Sequence, residues 1–243
     1  MSVVLAALDP EVQRRVADTR ERVATLHAEL PRNGLVVWTA GNISERVAGT
    51  ELFVIKPSGV SYDELDADVM VVCELDGDKI DDGTPAHLTP SSDTAAHAYV
   101  YRHMPEVGGV VHTHSPYATA WAAVGEPVPC VLTMMGDEFG GEIPIGPFAL
   151  IGDDSIGKGI VDTLRTSRSP AVLMRNHGPF TVGKDARSAV MAAVMCEEVA
   201  KTVHLARQLG TPIPIGQDDI DALYHRYQNV YGQSAPDPGE ATA

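Results

Sequence analysis

The chain has 243 residues, enough for one sizeable core, since single α/β domains often run to about 250 residues before dividing. Its 18 basic and 33 acidic residues leave a formal charge of -15. That balance argues against a nucleic-acid partner and an anionic membrane face, but not against a small phosphorylated metabolite, whose pocket sets its own local field.

Cys73, Cys130 and Cys196 are scattered in apolar surroundings, which suits buried free thiols in a reducing compartment better than a disulfide framework. The N-terminal stretch has no basic region before a long apolar run, and Asp9 interrupts it early, so neither a signal peptide nor a membrane span is read. A cytoplasmic protein is expected.

Asp9-Pro10 caps a helix whose apolar residues Val12, Val16, Val23, Leu26 and Leu30 recur at helical spacing until Pro31. Leu35-Val36-Val37-Trp38 reads as a short β-run. Residues 42–47 and 52–55 read as two further strands, and residues 70–80 as a hairpin around Asp76-Gly77-Asp78. Thr89-Pro90-Ser91-Ser92-Asp93 opens a helix that runs to Met104-Pro105. An apolar strand, Val107 to Val111, follows, then a short helix over 116–124 and a strand over 128–133.

Residues 154–165 are amphipathic, and residues 171–174 form a strand that runs into Arg175-Asn176-His177-Gly178-Pro179. An alanine-rich helix is predicted from Asp185 to Leu209, ending at Gly210, with a last helix over 220–227. We expect a single domain over residues 1–233. The tail over 234–243, made of Pro, Gly, Ala and acid, is expected to be disordered.

The chemistry-bearing stretch is Val110-Val111-His112-Thr113-His114-Ser115. Alternation along a strand puts His112 and His114 on one face, where both can reach one divalent cation; two hydrogen-bonded core histidines are the other reading. His177, beside a glycine just past a strand, is a candidate third ligand or else a turn histidine. Asp93 is a fourth ligand, a base or a helix cap, and His97, one turn later, is a helix-face residue.

Three segments suit a phosphate. Ser91-Ser92 sits at a helix start, where free N–H groups favour an anion, while Gly41-Asn42 and Ser58-Gly59 put glycine beside a hydrogen-bonding side chain, with Lys56 nearby. Each also reads as ordinary capping or turn chemistry; the repeated pattern is the stronger point. Asp137 falls in what reads as a glycine-rich loop, Met134 to Gly141, functional or simply solvated. Tyr224 and Tyr231 read from composition alone as packing residues.

Thr39-Ala40-Gly41-Asn42, Lys56-Pro57-Ser58-Gly59-Val60, Pro90-Ser91-Ser92-Asp93, His112-Thr113-His114-Ser115, Asn176-His177-Gly178-Pro179-Phe180 and Tyr231-Gly232-Gln233 resemble, in order, the motifs of the class II aldolase/adducin family. Within it they are most similar to the L-ribulose-5-phosphate 4-epimerases. The resemblance implies a three-layer α/β/α fold around a largely antiparallel sheet, and a homotetramer with active sites between subunits. It implies a divalent ion, typically zinc with manganese or cobalt as alternatives, held by His112, His114 and His177 with Asp93 beside it. Gly41, Asn42, Ser58, Gly59, Ser91 and Ser92 would hold the phosphate of a sugar phosphate. Asp137 would be one catalytic acid/base, and Tyr231, from a neighbouring subunit, the other.

The implied reaction cleaves C3–C4 of L-ribulose 5-phosphate and re-forms it on the other aldehyde face, giving D-xylulose 5-phosphate. An aldolase acting on a ketose phosphate such as L-fuculose 1-phosphate is the alternative, and a metal-free adducin-like scaffold a third reading. The resembled epimerase loop carries His-Ala-Asp-Tyr-Phe-Tyr where this chain has Met135-Gly136-Asp137-Glu138-Phe139-Gly140.

Overall fold

The computed structural model describes residues 3–229. Helix α1 (Pro10–His27) starts where the Asp9 carboxylate accepts a hydrogen bond from the Glu11 N–H and Pro10 takes the first helical position. It continues past Ala28 into a single turn, α2 (Glu29–Arg32). The strands β1 (Asn42–Arg46), β2 (Leu52–Ile55) and β3 (Val71–Glu74) then form a meander.

After α3 (Thr94–His103), strand β4 (Gly109–His112) returns to pair with β1, and α4 (Pro116–Val124) and α5 (Thr133–Phe139) follow. The chain closes with β5 (Ile145–Gly146), α6 (Ser155–Leu164), β6 (Ala171–Met174), β7 (Gly178–Gly183), α7 (Ala186–Leu209) and α8 (Gln217–Asn229).

The seven strands lie in the order β3-β2-β1-β4-β7-β6-β5, antiparallel except for the β5–β6 pair. Alternation sorts their side chains. Phe53, Ile55, Val110, Val172 and Phe180 face α3 and α6, whereas Ile43, Val54, Val111, Ala171 and Leu173 face α1, α4 and α7. Both sheet faces are therefore covered, which gives the expected three-layer α/β/α architecture with a largely antiparallel sheet. No helix among the described residues is long and apolar enough to cross a membrane. Cys73, Cys130 and Cys196 are free thiols, Cys130 only partly buried.

Four local readings are corrected. Leu35 to Trp38 is no strand: only Leu35 of the four is buried, and Trp38 sits at φ 59 with 88% of its surface exposed. β1, the strand that follows, is already paired with β2 and β4 on its two sides, so that run cannot add to it. Residues 128–133 contribute only an isolated bridge from Val128 to Ile143. The supposed glycine-rich loop around Asp137 is helix α5, whose Met135 and Phe139, four apart, enter the core. Residue 136 is glycine within that helix because a Cβ there would meet Leu223 of α8 at 2.7 Å, so it serves close packing rather than a turn. Strands β5 and β7 were not read from the sequence; Gly178-Pro179 disguises the second as a turn.

His27 is buried and fully hydrogen-bonded. A carbonyl can only accept, so Nδ1 carries the proton shared with the Val23 oxygen at 2.7 Å, and Nε2 accepts from the Ile43 N–H at 3.0 Å. Burial pulls its pKa from 6.5 to about 3. Below about pH 6.5 the unfolded chain takes up a proton that the native site refuses, so this contribution is intact above that pH and lost as pH falls toward 3. The loss is about 1.4 kcal/mol per pH unit. Urea unfolding at pH 5 and pH 7 should show His27→Gln less acid-sensitive than the parent by that one-proton slope. An unchanged slope would mean that His27 protonates in the native state.

Candidate active site

Sheet register places the first ligand. His112 ends β4, opposite Asn42 on β1 and Phe180 on β7, and cross-strand neighbours share a face. Its ring stacks on Phe180, with centroids 4.0 Å apart, and its Nδ1 donates to the Pro179 carbonyl at 3.0 Å. That bond puts the proton on Nδ1 and leaves the Nε2 lone pair facing outward, the arrangement that orients a metal-ligating histidine.

His114 lies beyond the end of β4 rather than on it. The chain there is held from behind, because the Glu197 carboxylate of α7 accepts from the N–H groups of Tyr117 and Ala118 at the start of α4. His177 sits in the β6–β7 turn after Asn176, whose φ of 59 is left-handed. A Cβ on the following Gly178 would meet the Thr113 carbonyl at 2.7 Å, so glycine lets the turn approach the histidine pair closely.

The three imidazoles converge. His112 Nε2 and His114 Nε2 are 3.0 Å apart, and one nitrogen from each of His112, His114 and His177 lies within 4.8 Å of the others. His112 is buried, while His114 and His177 are partly exposed. Burial lowers the pKa of all three, and for His112 the two neighbouring imidazoles push in the same direction. Neutral imidazoles with clustered lone pairs are a ligand set for a borderline divalent cation. Asp93 stands outside this 4.8 Å group but lines the same cavity, 5% exposed. Its Oδ2 accepts from Asn42 Nδ2 at 2.8 Å and its Oδ1 has no hydrogen-bond partner, an orphaned buried oxygen beside three histidines that fits a cation between them.

The cavity, about 290 Å³, is lined by Gly41, Asn42, Lys56, Ser58, Gly59, Ser91, Ser92, Asp93, His114 and His177. All three phosphate segments thus meet beside the histidines, though their roles differ from the sequence reading. The backbone N–H groups of Ser91 and Ser58 are already spent on the crossing between residues 56–58 and 89–91, bonding to Lys56 O and Thr89 O respectively. Asn42 Nδ2 also reaches the Ser91 hydroxyl at 2.9 Å. Gly41, at φ 80, has no room for a side chain: a Cβ would lie 2.6 Å from Val36 and 2.9 Å from the His112 carbonyl.

Lys56 is the cavity's cation. It is 2% exposed, and its Nζ donates to the carbonyls of Thr39 at 3.2 Å and Pro57 at 3.3 Å, two of an ammonium's three protons. Burial lowers its pKa to about 8. The sequence signalled its nearness but not its burial. Ile151, which also lines the cavity, was missed altogether, since nothing local marks it. His97 is buried rather than on an open helix face, with Nδ1 2.7 Å from the Ser44 hydroxyl.

Asp137 is not among the residues lining this cavity. It lies on α5, paired with Arg226 of α8 at 3.1 Å. Tyr231 is outside the described residues. A larger hollow of about 520 Å³, bordered by Gly140, Glu142, Thr163, Arg168 and Gln217, contains no histidine.

The model of the Class II Aldolase and Adducin N-terminal domain matches residues 21–204. The chain belongs to the class II aldolase/adducin family. Among curated relatives, the L-ribulose-5-phosphate 4-epimerase UlaF of Salmonella paratyphi C is 42% identical, with 77% of this chain and 85% of the relative covered. Among solved structures, an L-fuculose 1-phosphate aldolase has the same fold: TM-score 0.80 at 23% identity, covering 87% of this chain and 96% of the other. YgbL from Klebsiella pneumoniae superposes with TM-score 0.71 at 27% identity, covering 86% and 98%.

Proposed function

We propose that this family member is a divalent-metal-dependent sugar-phosphate 4-epimerase that interconverts L-ribulose 5-phosphate and D-xylulose 5-phosphate by breaking and re-forming C3–C4. The observation that carries the reading is the convergence of His112, His114 and His177, with Asp93, beside one cavity that is also lined by Lys56, Asn42 and the serine and glycine turns. The 42% identical UlaF supports the substrate. The metal is proposed as zinc, which imidazole ligands suit, with manganese or cobalt able to substitute. The protein works as a homotetramer in the cytoplasm, with a small sugar phosphate as its partner and neither nucleic acid nor membrane.

In this reading the phosphate sits against the Lys56 ammonium, the Ser58, Ser91 and Ser92 hydroxyls and the amides of the Gly41 and Gly59 turns. Asn42, fixed by Asp93 and Ser91, orients the sugar between the phosphate and the histidines. A divalent cation held by the three histidines and Asp93 supplies, when bound, the electrophilic polarisation of the ketose carbonyl.

One acid/base removes the C4 hydroxyl proton, and the C3–C4 bond opens to release glycolaldehyde phosphate within the site. After the aldehyde turns, a second acid/base on the other face returns a proton to the new C4 oxygen. Asp137 and Tyr231 fill these roles. Since Asp137 does not line its own chain's cavity, it serves the site of a neighbouring copy, as Tyr231 does, which is why the tetramer matters.

Metal-loaded protein given L-ribulose 5-phosphate should yield D-xylulose 5-phosphate by NMR with no free aldehyde, and should leave L-fuculose 1-phosphate intact. Release of lactaldehyde and dihydroxyacetone phosphate from the latter would make the chain an aldolase instead, and turnover of neither would overturn the reading. Light scattering should find four copies per particle.

A further inference from the structure

The C-terminal helix is fastened to α5 more closely than a terminal element needs to be. Gly136 admits Leu223, and Gly140, at φ 60, admits Tyr224, with a Cβ at either position lying under 3.0 Å from the incoming side chain. Arg168 pairs with Asp221 of α8 at 2.6 Å, and its guanidinium lies over the Tyr224 ring at 5.5 Å. Buried Glu138, the residue after Asp137, takes a hydrogen bond from Tyr227. Within this seam Arg226 places Nη2 3.1 Å from Asp137 Oδ1 and 3.4 Å from Oδ2. Asp137 is the less exposed of the two, its side chain 18% accessible against 52% for Arg226.

A surface ion pair contributes little to stability, typically under about 1 kcal/mol. One guanidinium nitrogen bridging both oxygens of a carboxylate, however, restrains how that carboxylate turns about its terminal bond. We propose that Arg226 is a positioning residue for the reaction: it holds the Asp137 carboxylate at the angle from which that group exchanges a proton with the sugar. Helix α8 thereby sets the reactivity of α5. The inference rests on Asp137 being an acid/base.

Among the described residues, the salt bridge to Asp137 comes from Arg226. A lysine at this position keeps the charge but carries it on a compact, freely rotating ammonium, so it should restore activity only in part.

The test is a double-mutant cycle on the full-length, metal-loaded protein. Arg226→Ala should lower kcat by about 10- to 100-fold, the range expected of a displaced catalytic group, with KM within about twofold, unchanged metal content and a Tm within a few degrees of the parent. Arg226→Lys should recover part of the loss. In an Asp137→Asn background, Arg226→Ala should cost nothing further. An equal loss in both backgrounds, or a loss carried by KM, would overturn the positioning role. If Asp137→Asn alone kept full turnover, the assignment of Asp137 itself would fall. If Arg226→Ala failed to fold, the Lys variant would decide: full activity in it would refute the need for the guanidinium.

Discussion

His112→Ala should leave the protein folded, empty of metal and slower by at least about 1000-fold. The magnitude follows from the several kcal/mol that a bound cation contributes to such a reaction, each 1.36 kcal/mol being a factor of ten. The fold should survive because the β4 ladder to β1 and β7 uses backbone groups that the substitution leaves in place. What is lost locally is the stack on Phe180 and the bond to the Pro179 carbonyl, a cost of about 1–3 kcal/mol. Elemental analysis after loading with zinc should find far less than one ion per chain, and circular dichroism a parent-like spectrum. His204→Ala is the control: that histidine contacts Gln208 on the exposed side of α7, and removing it should change neither quantity. A His112→Ala protein that still bound one ion per chain would remove the ligand assignment.

Gly109→Ala should be strongly destabilising. A Cβ there would lie 2.4 Å from the Ala186 nitrogen and equally close to the Asp185 carbonyl, all of it backbone at the start of α7. Neither side can yield cheaply. β4 is bonded on both edges, and the α7 start is held by a capping box between Asp185 and Ser188 and by Glu45, whose carboxylate accepts from the Ala186 N–H at 3.0 Å. Overpacking of this kind costs about 3 kcal/mol or more, so Tm should fall by roughly 6–12 °C for a chain this size. Gly216→Ala, where the nearest atom is the Asp219 carboxylate at 3.7 Å, should be close to neutral. A Gly109→Ala protein as stable as the parent would show that β4 and α7 can separate without loss.

Much of the framework was legible from local chemistry. Asp185 and Gly210 bracket α7 as a cap and a stop, the amphipathic residues from Ser155 mark α6, and the apolar run from Ala171 to Met174 is β6. Those signals depend on each segment's own capping and periodicity. Where the deciding partner lies far along the chain, local reading failed. Residues 35–38 have strand composition, but the adjacent β1 is already paired on both sides. Residues 133–139 contain a glycine that suggests a loop, yet they form a helix because α8, some 80 residues later, packs against it. Lys56 and Ile151 were undervalued for the same reason, since neither burial nor cavity lining is written in neighbouring residues.

By itself the sequence determined the candidate ligand types, their order and the family, because imidazole pairs, paired serines and glycine turns carry their chemistry wherever they are placed. Only the tertiary structure decided that His177, more than sixty residues after His112, closes on the pair, and that Asp137 turns to Arg226 instead of to the cavity of its own chain. Strand register and helix packing set those distances, and both are properties of contacts between segments that no single segment encodes.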